Sequence, residues 1–203
     1  MKITQHLSSG SVPKNSPVVV LLHGYGANMR DLVSLTNFLP GLPWVALNAP
    51  LDAGNGGFCW APRTVPGNPA SKDVELATDA IWNWIDDNLG TDTPLILLGF
   101  SQGGLMATQL LRTKPSRIKA TIILAGFTIG ATQAADAELA ITKPRVFYGR
   151  GQEDEIIGPD ALARTRDWLA RCTTATTEIY PGLGHSIDER EMADVVSYLE
   201  EVL

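Results

Sequence analysis

The stretch Gly99-Phe100-Ser101-Gln102-Gly103 sets a serine among small residues in a G-x-S-x-G spacing. An apolar run, Leu95-Ile96-Leu97-Leu98, precedes it and a helical pattern from Leu105 to Leu111 follows, so the pentapeptide predicts a sharp strand-to-helix turn. Glycines let such a turn bend without a side-chain clash. They hold the serine hydroxyl clear of the strand and aim the positive end of a helix at the reacting atom. Ser101 is thereby a candidate nucleophile. The bland alternative is the glycine-rich turn of a nucleotide-binding fold, in which the serine is incidental. The rest of the chain decides between the two by whether it supplies a base, an acid and amide donors.

A serine hydroxyl is a weak nucleophile at neutral pH and needs a base within hydrogen-bond reach, with an acid to orient that base. Of the three histidines only His185 lies downstream of Ser101, in the chain order serine, acid, histidine that goes with this kind of turn. It sits in Pro181-Gly182-Leu183-Gly184-His185-Ser186, after a strand pattern and before a final helix. Loops beyond the carboxyl ends of strands are where open α/β sheets gather their reactive groups. Asp154 is the favoured acid, because it follows the strand pattern Arg145–Tyr148 in Gly149-Arg150-Gly151-Gln152-Glu153-Asp154 with glycines that let the chain turn back. Spacing alone leaves its neighbours Glu153 and Glu155 open. Asp160 reads instead as the cap of a helix starting near Ala161, and Asp167 as part of that helix.

A tetrahedral intermediate also needs two amide donors aimed at its oxyanion. One comes from Gln102, the residue after the serine at the helix start. The other is expected from Tyr25, in Leu22-His23-Gly24-Tyr25-Gly26, where two glycines let backbone approach a substrate closely. His23 reads as a histidine bonded to its own loop rather than a second base or a metal ligand, and His6 has no motif around it.

These groups need a scaffold, and the chain has the rhythm of one. Val18–Leu22, Trp44–Leu47, Leu95–Leu98, Ala120–Leu124, Arg145–Tyr148 and Thr177–Tyr180 read as strands separated by longer helical patterns, which predicts an α/β protein with a mostly parallel sheet. Several strands are continuously apolar, as expected of central strands covered by helices on both faces. From Lys72 to Leu89, Val74, Ala77, Ile81, Trp84, Ile85 and Leu89 recur at helical spacing, which makes Trp84 a core residue. Asp188, three residues before Glu191, reads as the cap of the last helix. The segment Asn48–Pro69 breaks the rhythm with four prolines and four glycines, yet holds Phe58 and Trp60, so it reads as an ordered pocket wall. The alanine-rich connection between Phe127 and Lys143 is too brief for a cap domain, which predicts an open site.

Composition narrows the partners. At 203 residues and 44% hydrophobic content the chain is expected to form a single domain, residues 1–203. A net charge of −6 argues against nucleic acid and against an anionic membrane surface. No run of about 18 apolar residues or export signal is visible, and the two cysteines have no metal-like or disulfide-framework spacing. A small-molecule ligand, no metal, no stable membrane insertion and a reduced, cytoplasmic setting are the expectations.

Taken together, Leu22-His23-Gly24-Tyr25-Gly26, Gly99-Phe100-Ser101-Gln102-Gly103-Gly104, Gly151-Gln152-Glu153-Asp154 and Gly184-His185 resemble the phospholipase/carboxylesterase family of α/β-hydrolases, which includes acyl-protein thioesterases. The likeness spans nearly the whole chain, including Leu47-Asn48-Ala49-Pro50. It implies an α/β-hydrolase fold without a large lid, a Ser101–Asp154–His185 triad and an oxyanion hole from the amides of Tyr25 and Gln102. It also implies hydrolysis of carboxylic esters or thioesters with no cofactor. Relatives often pair, so a homodimer is open. They usually carry a Trp-Phe/Tyr-Asp run where this chain has Phe58-Cys59-Trp60-Ala61-Pro62-Arg63, so the pocket wall is altered. Phe58 and Trp60 are still expected to bind substrate, and Arg63 reads as a solvated charge or a contact for an anionic substrate. The expected activity is hydrolysis of small to medium acyl esters through an acyl-enzyme. A thioesterase or lysophospholipase for longer chains, and a non-catalytic receptor on the same fold, are the alternatives.

Overall fold

The computed structural model describes residues 1–11, 16–39, 41–54, 56–63 and 67–203. Its centre is a seven-stranded sheet in the order β1-β3-β2-β6-β7-β8-β9. The strands are β1 (His6–Ser8), β2 (Val18–Leu22), β3 (Trp44–Leu47), β6 (Leu95–Phe100), β7 (Ile118–Leu124), β8 (Arg145–Gly151) and β9 (Thr174–Tyr180). Only β1 runs antiparallel to its neighbour, β3; the other pairings are parallel. Two short strands, β4 (Leu51–Asp52) and β5 (Phe58–Cys59), form a separate hairpin inside the proline-rich segment. Part of that segment, residues 55 and 64–66, lies outside the described residues.

The strands with unbroken apolar sequence sit in the middle because both of their faces are covered. On β7, Ile122 and Leu124 pack with Met192, Val195 and Leu199 of α5 (Glu189–Val202), while Ile123 packs with Leu111 of α2 (Gln102–Leu111) and Trp168 and Leu169 of α4 (Pro159–Cys172). α1 (Ser71–Leu89) lies beside α2 and buries Val74, Ala77, Ile81 and Ile85. Trp84 is 8% exposed and packs its ring on His6, so it belongs to the core. The edge strand β9 differs. Its residues Thr174 to Ile179 are mostly exposed, and the Thr-rich first half carries no apolar signal, so the strand starts three residues before the pattern predicts.

The turn between Phe127 and Lys143 holds one short helix, α3 (Asp136–Thr142), and no cap domain. It is anchored by Arg112 at the end of α2, which is 2% exposed, pairs with both carboxylate oxygens of Asp136 and donates to the carbonyls of Ile129 and Ala131. Two helix starts differ in an instructive way. α4 begins at Pro159 after a Gly158 cap, so Asp160 sits in the first turn instead of capping it. Proline supplies that start through its fixed φ. α5 is capped by Asp188, whose carboxylate accepts the Glu191 amide at 3.0 Å.

Candidate active site

β6 ends in the serine turn, and the turn is strained. Ser101 has φ 55° and ψ −117°, a backbone region that non-glycine residues occupy at a cost of about 1–3 kcal/mol. Its amide donates to the Leu124 carbonyl at 2.9 Å, and its carbonyl accepts from Leu105, which fixes the strand on one side and the helix on the other. Close approach explains the glycine that follows: a methyl group on Gly103 would lie 1.8 Å from the Leu22 carbonyl oxygen. Gly103→Ala is therefore expected to push α2 off β2 and to cut any hydrolytic activity at Ser101 by at least about 100-fold, the scale set by losing one oxyanion donor. Steady-state kinetics beside a circular-dichroism melt checks it.

Ser101, His185 and Asp154 come together from three loops at the carboxyl end of the sheet. The Ser101 hydroxyl lies 2.8 Å from His185 Nε2, and His185 Nδ1 lies 2.7 Å from Asp154 Oδ2. The second Asp154 oxygen accepts the amides of Ile156 and Ile157 at 2.9 and 3.2 Å. A fully buried carboxylate with three such contacts is held in one orientation, and it fixes the proton of the neutral imidazole on Nδ1, leaving Nε2 to accept from the serine. The Phe100 ring, 5.0 Å from that of His185, supports the imidazole from the side. Glu153 and Glu155 are exposed and take no part in this chain. The acid and histidine loops are clamped by the Glu153 amide on the Leu183 carbonyl at 2.9 Å. Gly151 makes that approach possible, since a methyl there would sit 2.1 Å from the Leu183 oxygen.

Tyr25 and Gln102 both line the cavity over Ser101, and neither amide has a protein acceptor among the described residues. Gln102 opens α2, where an amide has no partner within its own helix, and Tyr25 lies in the β2 loop with no backbone acceptor among the described residues. That loop is built from inside. His23 is 2% exposed; its Nδ1 donates to the Gly24 carbonyl at 2.7 Å and its Nε2 accepts the Ala49 amide at 3.0 Å. Burial holds its pKa below 6.5, partly offset by the Gly24 contact, so it is a neutral brace. Phe58 adds a second brace, exchanging backbone hydrogen bonds with Gly26 and Ala27.

The cavity over Ser101 has a volume of about 250 Å³, below the roughly 300–1,000 Å³ of drug-sized sites. Its walls are largely apolar: Pro62, Pro69, Phe127, Ile156 and Ile157, with Tyr25 at one side and Arg63 and Gly67 at another. Phe58 and Trp60 are not among the described lining residues. Trp60 is fully buried behind the wall, its indole N–H on the His23 carbonyl and its amide on the Gln102 side chain, both at 2.8 Å. The Gln102 side chain also donates to the Ala61 carbonyl, so these aromatic and amide groups tie the serine helix to the β5 segment. Cys59 is buried too, and burial, with Asp52 nearby, pushes its thiol pKa up. The lining residues that sequence reading passed over, Ile156, Ile157 and Phe127, follow the acid and strand β7 directly and have no motif of their own. Among the described residues no cluster of His, Cys, Asp or Glu is arranged to hold a metal, and no helix is long and apolar enough to cross a membrane.

A mostly parallel sheet with a strained serine turn after a central strand, and an acid and a histidine on the loops of two later strands, defines an α/β-hydrolase of the serine type. Its closest description comes from comparison. Residues 7–203 match the phospholipase/carboxylesterase family model, and the chain belongs to that family. It is similar to acyl-protein thioesterase 1 of Kluyveromyces lactis, 29% identical over 92% of each chain. It is equally similar to pimeloyl-[acyl-carrier protein] methyl ester esterase of Neisseria meningitidis, 29% identical over 95% of this chain and 73% of that one. The carboxylesterase of Bacillus cereus superposes with a TM-score of 0.81 at 17% identity, over 98% of this chain and 94% of that chain. The protein is a hydrolase of the esterase and thioesterase type.

Proposed function

We propose that the protein is a carboxylesterase that cleaves small to medium acyl esters through an acyl-enzyme on Ser101. The observation that carries this reading is the unbroken hydrogen-bond chain from Ser101 through His185 to the buried Asp154, beside two amides with no acceptor among the described residues. Ser101 Oγ attacks the ester carbonyl and gives its proton to His185 Nε2, while Asp154 stabilises the imidazolium. The oxyanion is received by the amides of Tyr25 and Gln102, each worth about 10²–10³ in rate. His185 then protonates the departing alcohol, and the same imidazole activates the water that releases the acid. The cavity of about 250 Å³ favours short acyl groups over a palmitoyl chain.

The two similar relatives divide between a thioesterase and a methyl ester esterase, which keeps long-chain thioester cleavage as the second reading. A series of p-nitrophenyl esters from acetyl to palmitoyl separates them. The expected result is sustained turnover with kcat/KM highest at acyl chains of about two to eight carbons and falling beyond. A maximum at palmitoyl favours the second reading, and a single burst that stalls favours a receptor that traps its ligand.

A further inference from the structure

Arg63 stands out in the cavity over Ser101. It is exposed, lies on the cavity wall with Pro62 and Gly67, and makes no hydrogen bond or ion pair with any described residue. Some surface charges are paired, such as Asp86 with Lys114 and Arg117, or Asp188 with Arg190. Arg63 is unpaired where it faces the reacting centre, in a chain whose net charge is −6. Asp154, the carboxylate bonded to the reacting imidazole, is buried and already held by His185 and two amides. A second cation stands behind the same wall: Arg164 donates to the Gly67 carbonyl at 2.6 Å and to the Thr128 carbonyl at 2.7 Å, with the charge of Asp160 nearby. Besides Arg63, Tyr25, Ser101, Gln102 and His185, the cavity lining is apolar, and next to apolar surface a charge is less well screened than in open water.

We infer that Arg63 selects esters carrying an anionic group, a carboxylate placed a few bonds from the scissile carbonyl, on either the acyl or the alcohol side. A guanidinium presents a planar fork of donors that a carboxylate fills with two parallel hydrogen bonds. The apolar wall formed by Ile156, Ile157 and Phe127 covers the remainder of a short substrate. The inference rests on the esterase reading above and narrows its substrate class.

Two matched pairs test it: 4-acetoxybenzoate against its methyl ester, with the charge on the alcohol side, and monomethyl succinate against dimethyl succinate, with the charge on the acyl side. For each pair the quantity read is the ratio of kcat/KM, anionic over neutral, in the wild type, Arg63→Ala and Arg63→Lys. In at least one pair the wild-type ratio is expected to exceed that of Arg63→Ala by about 10-fold at low salt, the scale of one partly exposed charge-assisted contact. Arg63→Lys retains part of the difference, and raising the salt to about 0.5 M shrinks it. The change is expected in KM more than in kcat, since the contact is made in the ground state as well. Ratios that are the same in wild type and Arg63→Ala for both pairs overturn the assignment while leaving the esterase reading intact. Failure of the wild type to cleave any of the four esters removes the esterase reading itself, and the assignment with it.

Discussion

Ser101→Ala is expected to lower kcat/KM for p-nitrophenyl acetate by about a million-fold, the scale of losing the nucleophile of a serine triad. The fold should survive. Among the described residues the hydroxyl bonds to His185, and the strained backbone at Ser101 is held by amide and carbonyl bonds that alanine keeps. A thermal melt within a few degrees of wild type, beside the lost turnover, is the expected pair of results. His185→Ala should fall by a comparable factor, and the double variant little further, because nucleophile and base act as one unit. Asp154→Asn should fall less, by about 10⁴, since an amide keeps the shape but favours the wrong imidazole tautomer. Near-wild-type turnover in Ser101→Ala would sink the assignment, whatever the geometry.

The parts of this site that the sequence made legible are those whose chemistry forces a local signature. The serine turn needs glycines at fixed offsets because Gly103 touches the β2 backbone. Asp154 follows β8, readable from its apolar run, and His185 follows β9, of which only the second half was readable, so their place at one end of the sheet comes with the topology. The acid was ambiguous by one position on either side. Only the direction of the loop, set by Ile156 and Ile157 bonding to the Asp154 side chain, turns that residue inward and leaves Glu153 and Glu155 in solvent.

The pocket wall was less legible for a physical reason. Large aromatics in an irregular loop can line a cavity or support its lining, and sequence does not distinguish the two. Trp60 supports: its indole N–H and amide are both used inside the protein. The lining fell to prolines and isoleucines at positions without a pattern. The buried Arg112–Asp136 pair was equally invisible, because the ends of α2 and α3 meet only in the folded chain. Asp188 was readable as a cap, but the fate of Glu191 was not. In a reciprocal cap that glutamate would reach back to the backbone amide of the capping residue. Instead its side chain turns under the helix.

Glu191→Gln is the substitution with the largest expected effect on stability, and the sign of that effect depends on pH. The Glu191 side chain is fully buried, and neither carboxyl oxygen has a hydrogen-bond partner among the described residues. Oε1 lies where a methyl on Gly149 would come within 2.2 Å, so the carboxyl is packed onto the backbone of β8. Burial pushes its pKa up from 4.5 to about 8, and the charges of Asp188 and Asp194 push in the same direction. Below about pH 4.5 the folded and unfolded chains both hold the proton, and the group contributes no pH dependence. Between about 4.5 and 8 the unfolded chain releases the proton while the folded one keeps it, so stability falls as pH rises through that window. At one pH unit per about 1.4 kcal/mol, the full loss is on the order of 5 kcal/mol, complete above pH 8. Glutamine has the shape of the protonated acid and does not ionise. The variant should therefore match or slightly trail the wild type near pH 5, where its second N–H adds an unmet donor, and melt higher near pH 8.5 by about 10 °C. Melting curves of both proteins across that range give the difference directly. Parallel curves, with no pH-dependent gap, would mean that Glu191 reaches water or a partner when ionised, and the buried neutral carboxyl would have to be given up.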